Sequence, residues 1–179
     1  MKLENREVPI TLPCSLGIIK VETEEKEAIL TDIASLIWHE HFVSIISEQQ
    51  IDYMVGMFQS KQAVTKQIED GYEYYLFRLE DTYIGYMGIH PEEEKLFLSK
   101  LYLQKEYRGR GLARQALEFL VDYCIRHHLA AIYLTCNRNN DKSIAVYKKM
   151  GFVTVREQVA DIGNGFVMDD YVMEKIVLV

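Results

Sequence analysis

An α/β (α+β) domain is the fold class that the sequence predicts, from three observations. Apolar residues recur at helical spacing twice before residue 70, two aromatic and β-branched runs flank Glu80-Asp81, and a strand, glycine turn, helix, strand, helix, strand order follows from Lys95. At 179 residues the chain suffices for one full core and is short for two domains, so residues 1–179 are read as a single domain.

Residues 8–21 mix β-branched and apolar side chains with Pro9 and Pro13, which suits an edge strand or extended arm. Thr23 ahead of Glu24, Glu25 and Glu27 gives the acidic first turn that a helix dipole favours. Ala28, Leu30, Ile33, Ala34 and Ile37 supply that helix's apolar stripe, with an expected end near Trp38. Ser47 opens a second helix with Ile51, Met54, Val55 and Phe58 on one face, continuing or restarting through Ile68. Residues 72–79 and 82–90 form a hairpin about Glu80-Asp81, and residues 91–94 make the next turn.

Residues 95–103 read as a strand with Leu96, Leu98 and Leu101 as core positions. The helix after it buries Ala113, Ala116, Leu117, Leu120 and Cys124, and Arg126, His127 and His128 suit the negative end of its dipole. Residues 130–136 are nearly all apolar, as a strand covered on both faces requires. Asn139 or Asn140 caps the next helix and Gly151 ends it. Two final strands, at 151–155 and 167–177, join around Asn164-Gly165.

No run of 18 apolar residues occurs and the first residues are charged, so neither a membrane span nor a signal peptide is expected, and the protein is read as cytoplasmic. Cys14, Cys124 and Cys136 have no metal-type spacing and read as reduced, mostly buried side chains. The net charge of −7 is uneven. Residues 100–149 carry ten Lys/Arg against four Asp/Glu, and the remainder carries ten against twenty-three. A polyanionic ligand is therefore expected on the basic segment, and a cationic second ligand is favoured elsewhere. Nucleic acid is disfavoured as a partner because the basic residues are concentrated in one compact turn of an acidic chain.

That turn reads Tyr107-Arg108-Gly109-Arg110-Gly111-Leu112-Ala113-Arg114 between a strand and a helix. Three arginines at a positive helix end are unfavourable unless an anion binds there, and glycines let the backbone approach phosphate closely. A dinucleotide fingerprint would need a glycine where Arg114 stands, and no Gly-Lys-Ser/Thr of a P-loop occurs.

Arg108, Gly111 and Ala113 match a Gln/Arg-x-x-Gly-x-Gly/Ala pattern; about thirty residues later come Asn140, Ser143-Ile144, Tyr147 and Gly151-Phe152. In these two segments the chain resembles the GNAT superfamily of acyl-CoA-dependent N-acetyltransferases. The resemblance implies a mixed, twisted, mostly antiparallel sheet of about seven strands with helices on both faces. It implies acetyl-CoA as co-substrate and no metal. The backbone of Leu101, Tyr102 and Leu103 would hold the pantetheine arm. Arg108, Gly109, Arg110, Gly111, Leu112, Ala113 and Arg114 would hold the pyrophosphate, and Asn140 would contact the cofactor. Tyr147 would protonate the leaving thiolate.

Many members carry a glutamate on the strand before the turn, but residues 96–100 here contain no carboxylate. Ordered water, His90, Glu94 or deprotonation before binding are the alternatives for the base. His39-Glu40-His41 lacks a third ligand for a metal and reads as a helix-end cluster or an acceptor contact, beside Trp38, Phe42 and Tyr53. Cys136 near the cofactor is read chiefly as core, with a covalent nucleophile as the lesser alternative. The resulting function is acetyl transfer to the primary amine of a small molecule, such as a polyamine or diamine. A protein N-terminal or lysine acetyltransferase and a non-catalytic acyl-CoA-binding domain are the rivals. The final hairpin offers an edge for a homodimer.

Overall fold

The computed structural model describes residues 15–177, so the expectations for residues 8–14, Cys14 included, lie outside the described residues. The elements are β1 (Gly17–Lys20), α1 (Glu24–Phe42), α2 (Glu48–Phe58), α3 (Lys61–Glu69), β2 (Glu73–Leu79), β3 (Thr82–Pro91), β4 (Lys95–Leu103), a 3-10 turn at Lys105–Tyr107, α4 (Leu112–His127), β5 (Ala131–Asn137), α5 (Asp141–Lys149), β6 (Val153–Gly163) and β7 (Phe166–Ile176). One seven-stranded sheet runs in the order β1-β2-β3-β4-β5-β7-β6. All neighbours are antiparallel except β4 and β5.

Strand alternation explains why both faces are covered. Tyr75 and Phe77 of β2 enter the core beneath α4, whereas Tyr74 and Leu76 pack against Leu30, Ile33, Ala34 and Ile37 of α1. The α4 residues Ala116, Leu117, Leu120 and Cys124 are buried as their spacing predicts. No helix among the described residues is long and apolar enough to cross a membrane.

Helix starts follow the local chemistry. Thr23, Ser47, Ser60 and Asn140 each accept a first-turn backbone N–H on a side-chain oxygen. The expected end of α1 near Trp38 is short by four residues. Phe42 lies one turn beyond Trp38, is buried, and packs against it in a tilted arrangement with ring centroids 4.5 Å apart, so packing carries the helix through His39-Glu40-His41. The second predicted helix restarts: Ser60 caps α3, and buried Gln59 accepts from the Tyr86 hydroxyl at 3.1 Å. β6 runs well past residue 155 because it pairs with β7 up to the tight turn at Asn164-Gly165.

Two irregularities position the site. β4 and β5 pair only at Lys95↔Ala131, Leu96↔Ile132 and Phe97↔Tyr133, after which the strands diverge. The register of β3 against β4 slips between Gly88 and Ile89, which pair with Lys100 and Leu98 and leave Ser99 as the extra residue of a bulge. Leu98, Leu101 and Leu103 pack with the α4-side core while Lys100 and Tyr102 meet side chains of the α1 to α3 face.

Candidate active site

The glycine turn lies at the open end of the divergence. Gly109 and Gly111 have φ of 73° and 79°, the left-handed region, and a Cβ at either would meet nothing within 4 Å, so open space fronts the turn. Gly111 is the N-cap of α4 and offers no side chain to it. The N–H groups of Gly109, Arg110, Gly111, Leu112 and Ala113 donate to no partner among the described residues. Arg114 N–H already bonds Gly111 O at 3.1 Å. Backbone N–H groups without a strong partner beside open space are the kind of donor set that an anion can use.

Arg108 does not reach into that space. Its Nε donates to Leu103 O at 2.8 Å, and Nη2 lies 3.6 Å from Glu40 Oε2. Nη1 lies 3.4 Å from His41 Nδ1, and Asn140 Nδ2 lies 3.2 Å from His41 Nε2. Two donors thus face a ring that, when neutral, has one acceptor nitrogen, so one contact at a time is a hydrogen bond. Burial and the Arg108 charge hold the His41 pKa below the ordinary histidine value and keep it neutral. Arg108, read as a phosphate contact, therefore ties the turn to α1 through its side chain. Arg110 and Arg114 stay exposed, with Arg110 over the Tyr107 ring. His39 points elsewhere, to Ser35 O and Asp52.

A cavity of about 440 Å³ occupies the divergence. Trp38 and Phe42 from α1, with Met54 and Phe58 from α2, form an apolar wall. Ser99, Lys100 and Tyr102 from β4, Asn137 from β5 and Asp170 from β7 supply the polar floor, and Asn140, Ser143 and Tyr147 close the α5 side. The predicted residues Leu101, Tyr102, Asn140 and Tyr147 thus meet around one space. Tyr53 does not line it; its hydroxyl donates to Ile162 O at 2.7 Å. His90 packs against the Tyr72 ring, and Glu94 sits in the β3–β4 turn; neither lines the cavity.

Burial sets the chemistry of the lining. Tyr147 is desolvated and lies near Cys136, which raises its pKa and keeps the phenol protonated, the state a proton donor needs. Burial, with the Asp170 charge, pushes the Cys136 thiol up to about 12, so it remains a thiol and packs as core. Lys100 is 7% exposed, donates to Gln67 Oε1 at 2.8 Å and Ser99 Oγ at 3.1 Å, and burial lowers its pKa to about 7. Asp170 is 2% exposed, and burial with the neighbouring Asp169 charge raises its pKa to about 6. Lys100 and Asp170 were missed in the sequence. Only the bulge and the β5–β7 register bring them into the cavity.

The profile of the Acetyltransferase (GNAT) family matches residues 30–152, well over half of the chain. The chain belongs to the GNAT family of acetyltransferases. An uncharacterised protein of Mycobacterium leprae (strain TN) is 32% identical over 50% of this chain, a stretch spanning only 26% of that relative. A probable spermine N(1)-acetyltransferase of Bacillus subtilis subsp. natto is 22% identical over 75% of this chain and 86% of its own length. The spermidine N(1)-acetyltransferase of Escherichia coli K12 is 35% identical over 30% of this chain and 29% of its own. Among solved structures, the PaiA N-acetyltransferase of Thermoplasma acidophilum in complex with coenzyme A superposes with a TM-score of 0.75 at 23% identity, covering 90% of this chain and 99% of that one. Within the GNAT family, then, the seven-stranded mixed sheet with helices on both faces is the shared fold.

Proposed function

We propose that this chain, one acetyltransferase domain over residues 1–179, transfers an acetyl group from acetyl-CoA to the primary amine of a small molecule by direct attack. A polyamine or diamine is the acceptor class that the reading favours. The observation that carries it is the divergence of β4 from β5, with free N–H groups of a glycine turn at one end and an aromatic-walled cavity holding a buried carboxylate beside it. The donors at 109–113 fit a pyrophosphate. Beyond Phe97 the β4 edge facing β5 is unpaired, so the backbone at Leu101–Leu103 is available to an extended pantetheine arm as to an added strand. Asn140 is spared for the cofactor only in part, because its oxygen caps α5. Tyr147 serves as the acid toward the departing thiolate.

The weak likeness to spermine and spermidine N-acetyltransferases, with the acidic balance outside residues 100–149, supports a cationic acceptor. Buried cysteines and use of acetyl-CoA support a cytoplasmic setting, and exposed β6 is the edge through which a homodimer would form. Release of free CoA with a panel of small amines and peptides tests the reading. Turnover on small amines is expected. Turnover confined to peptides would assign protein acetylation, and CoA binding without turnover on any acceptor would assign a non-catalytic domain.

A further inference from the structure

Strand β4 places Ser99 and Lys100, and no carboxylate, at its bulge, and Lys100 Nζ is already engaged by Gln67 Oε1 at 2.8 Å and Ser99 Oγ at 3.1 Å. Another strand brings a carboxylate into the same cavity. Asp170 of β7 pairs in register with Asn137 of β5, and paired residues project on one side of a sheet. Its strand neighbour Met168 packs with Trp38 and Phe42, while Tyr171 and Met173 face the α4-side core. Asp170 therefore points to the cavity face, and it lines the cavity.

Among the described residues its Oδ1 is the one buried side-chain nitrogen or oxygen with no hydrogen-bond partner. A carboxylate oxygen kept dry and unpaired is costly unless something in the working state completes it. The adjacent Asp169 is already engaged by Arg138 Nε at 2.7 Å and does not compete for a ligand in the cavity. Asp170's charge is felt by Cys136 and Tyr102, and the same two groups interact with Tyr147. A carboxylate and a phenol thus converge on one stretch of the divergence from β7 and α5.

We propose that Asp170 receives the acceptor's ammonium group and takes its proton before attack, opposite Tyr147 across the thioester; this rests on the transferase reading above. One ammonium proton passes to Asp170 Oδ1, and the freed nitrogen lone pair forms the C–N bond to the thioester carbonyl carbon. As the tetrahedral centre collapses the C–S bond breaks with its electron pair on sulfur. Tyr147 gives that sulfur a proton and regains one from the amide nitrogen. Asp170 returns its proton to solvent, so one amine and one acetyl thioester yield one amide, one thiol and one released proton.

The other titratable and charged groups that share its strand or line its cavity are Asp169 on β7, Cys136 on β5, Tyr102 and Lys100 on β4, Tyr147 on α5, and Asp70 and Tyr72 between α3 and β2. The Asp170 carboxyl is pushed up to about 6, so kcat/KM should rise through an acidic limb near that pH as the carboxylate forms. The test is Asp170→Asn and Asp170→Glu, with an amine such as spermidine or a short diamine as probe. Asp170→Asn is expected to lower kcat/KM about a hundredfold, to abolish the acidic limb, and to weaken amine binding to the CoA complex about tenfold, with acetyl-CoA binding unchanged. Asp170→Glu is expected to restore part of the rate and the limb. A wild-type pH profile and rate in Asp170→Asn would overturn the assignment. If wild type turned over no amine, the transferase reading would fail, and unchanged amine binding in Asp170→Asn would overturn the carboxylate's role independently.

Discussion

The two sides of the β4–β5 divergence are built in different ways. The glycine turn presents backbone N–H groups, and its shape comes from two positive φ angles within eight residues of sequence. The cavity beside it is assembled from residues as far apart as Trp38 and Asp170, on helices and strands that meet only in the folded sheet. Under the proposed function, the donor side is written in backbone, local and general to a diphosphate, and the acceptor side is written in side chains that depend on tertiary packing. The difference teaches that the two half-sites should fail separately.

Tyr147 should show the largest effect, because it stands where the two sides meet. Tyr147→Phe is expected to lower kcat about tenfold to a thousandfold while leaving the acetyl-CoA Kd within about twofold, read by steady-state kinetics and calorimetry. A change in Kd with kcat intact would move Tyr147 to the donor side alone.

Gly111→Val should come next and strike only the donor side. Its φ of 79° is strained for a β-branched residue, so acetyl-CoA binding should weaken. By that strain, about tenfold to a hundredfold is expected in Kd, with the melting temperature as the control for folding.

Stability against pH separates two buried charges of the acceptor side. Asp170 stays protonated in the folded chain up to about 6, above its ordinary 3.8. Between those values the folded chain holds a proton that the unfolded chain has lost, so stability falls as pH rises. Lys100 titrates near 7 instead of 10.5, so between those values the unfolded chain holds the extra proton and stability rises with pH. Each slope is at most about 1.4 kcal/mol per pH unit. Urea midpoints across pH should lose the fall in Asp170→Asn and the rise in Lys100→Met.

The smallest effect is expected at Cys136. Its thiol pKa, pushed up to about 12, keeps it from acting as a nucleophile. Cys136→Ala should retain turnover within about twofold, and loss of all activity with a trapped acyl-cysteine would reverse that reading.

The order of strands and helices was legible because each element carries local marks: Ser47 and Asn140 as caps, Asn164-Gly165 as a turn, and 3.6-residue spacing in α4. The glycine turn between β4 and α4 was legible as a turn for the same reason. Phe42 extending α1 was not, because burial against Trp38 decides it after folding. Asp170 was illegible because nothing near residue 170 marks it. Its place comes from pairing with Asn137 and from the divergence of two other strands. Arg108 shows the intermediate case: its motif position was readable, but its partners Glu40 and His41 lie on α1.

Titration of acetyl-CoA into wild type, Gly111→Val and Asp170→Asn is the most direct measurement of this separation. The account predicts weakened binding in Gly111→Val alone, with Asp170→Asn matching wild type. Equal weakening in both variants, or in neither, would contradict it.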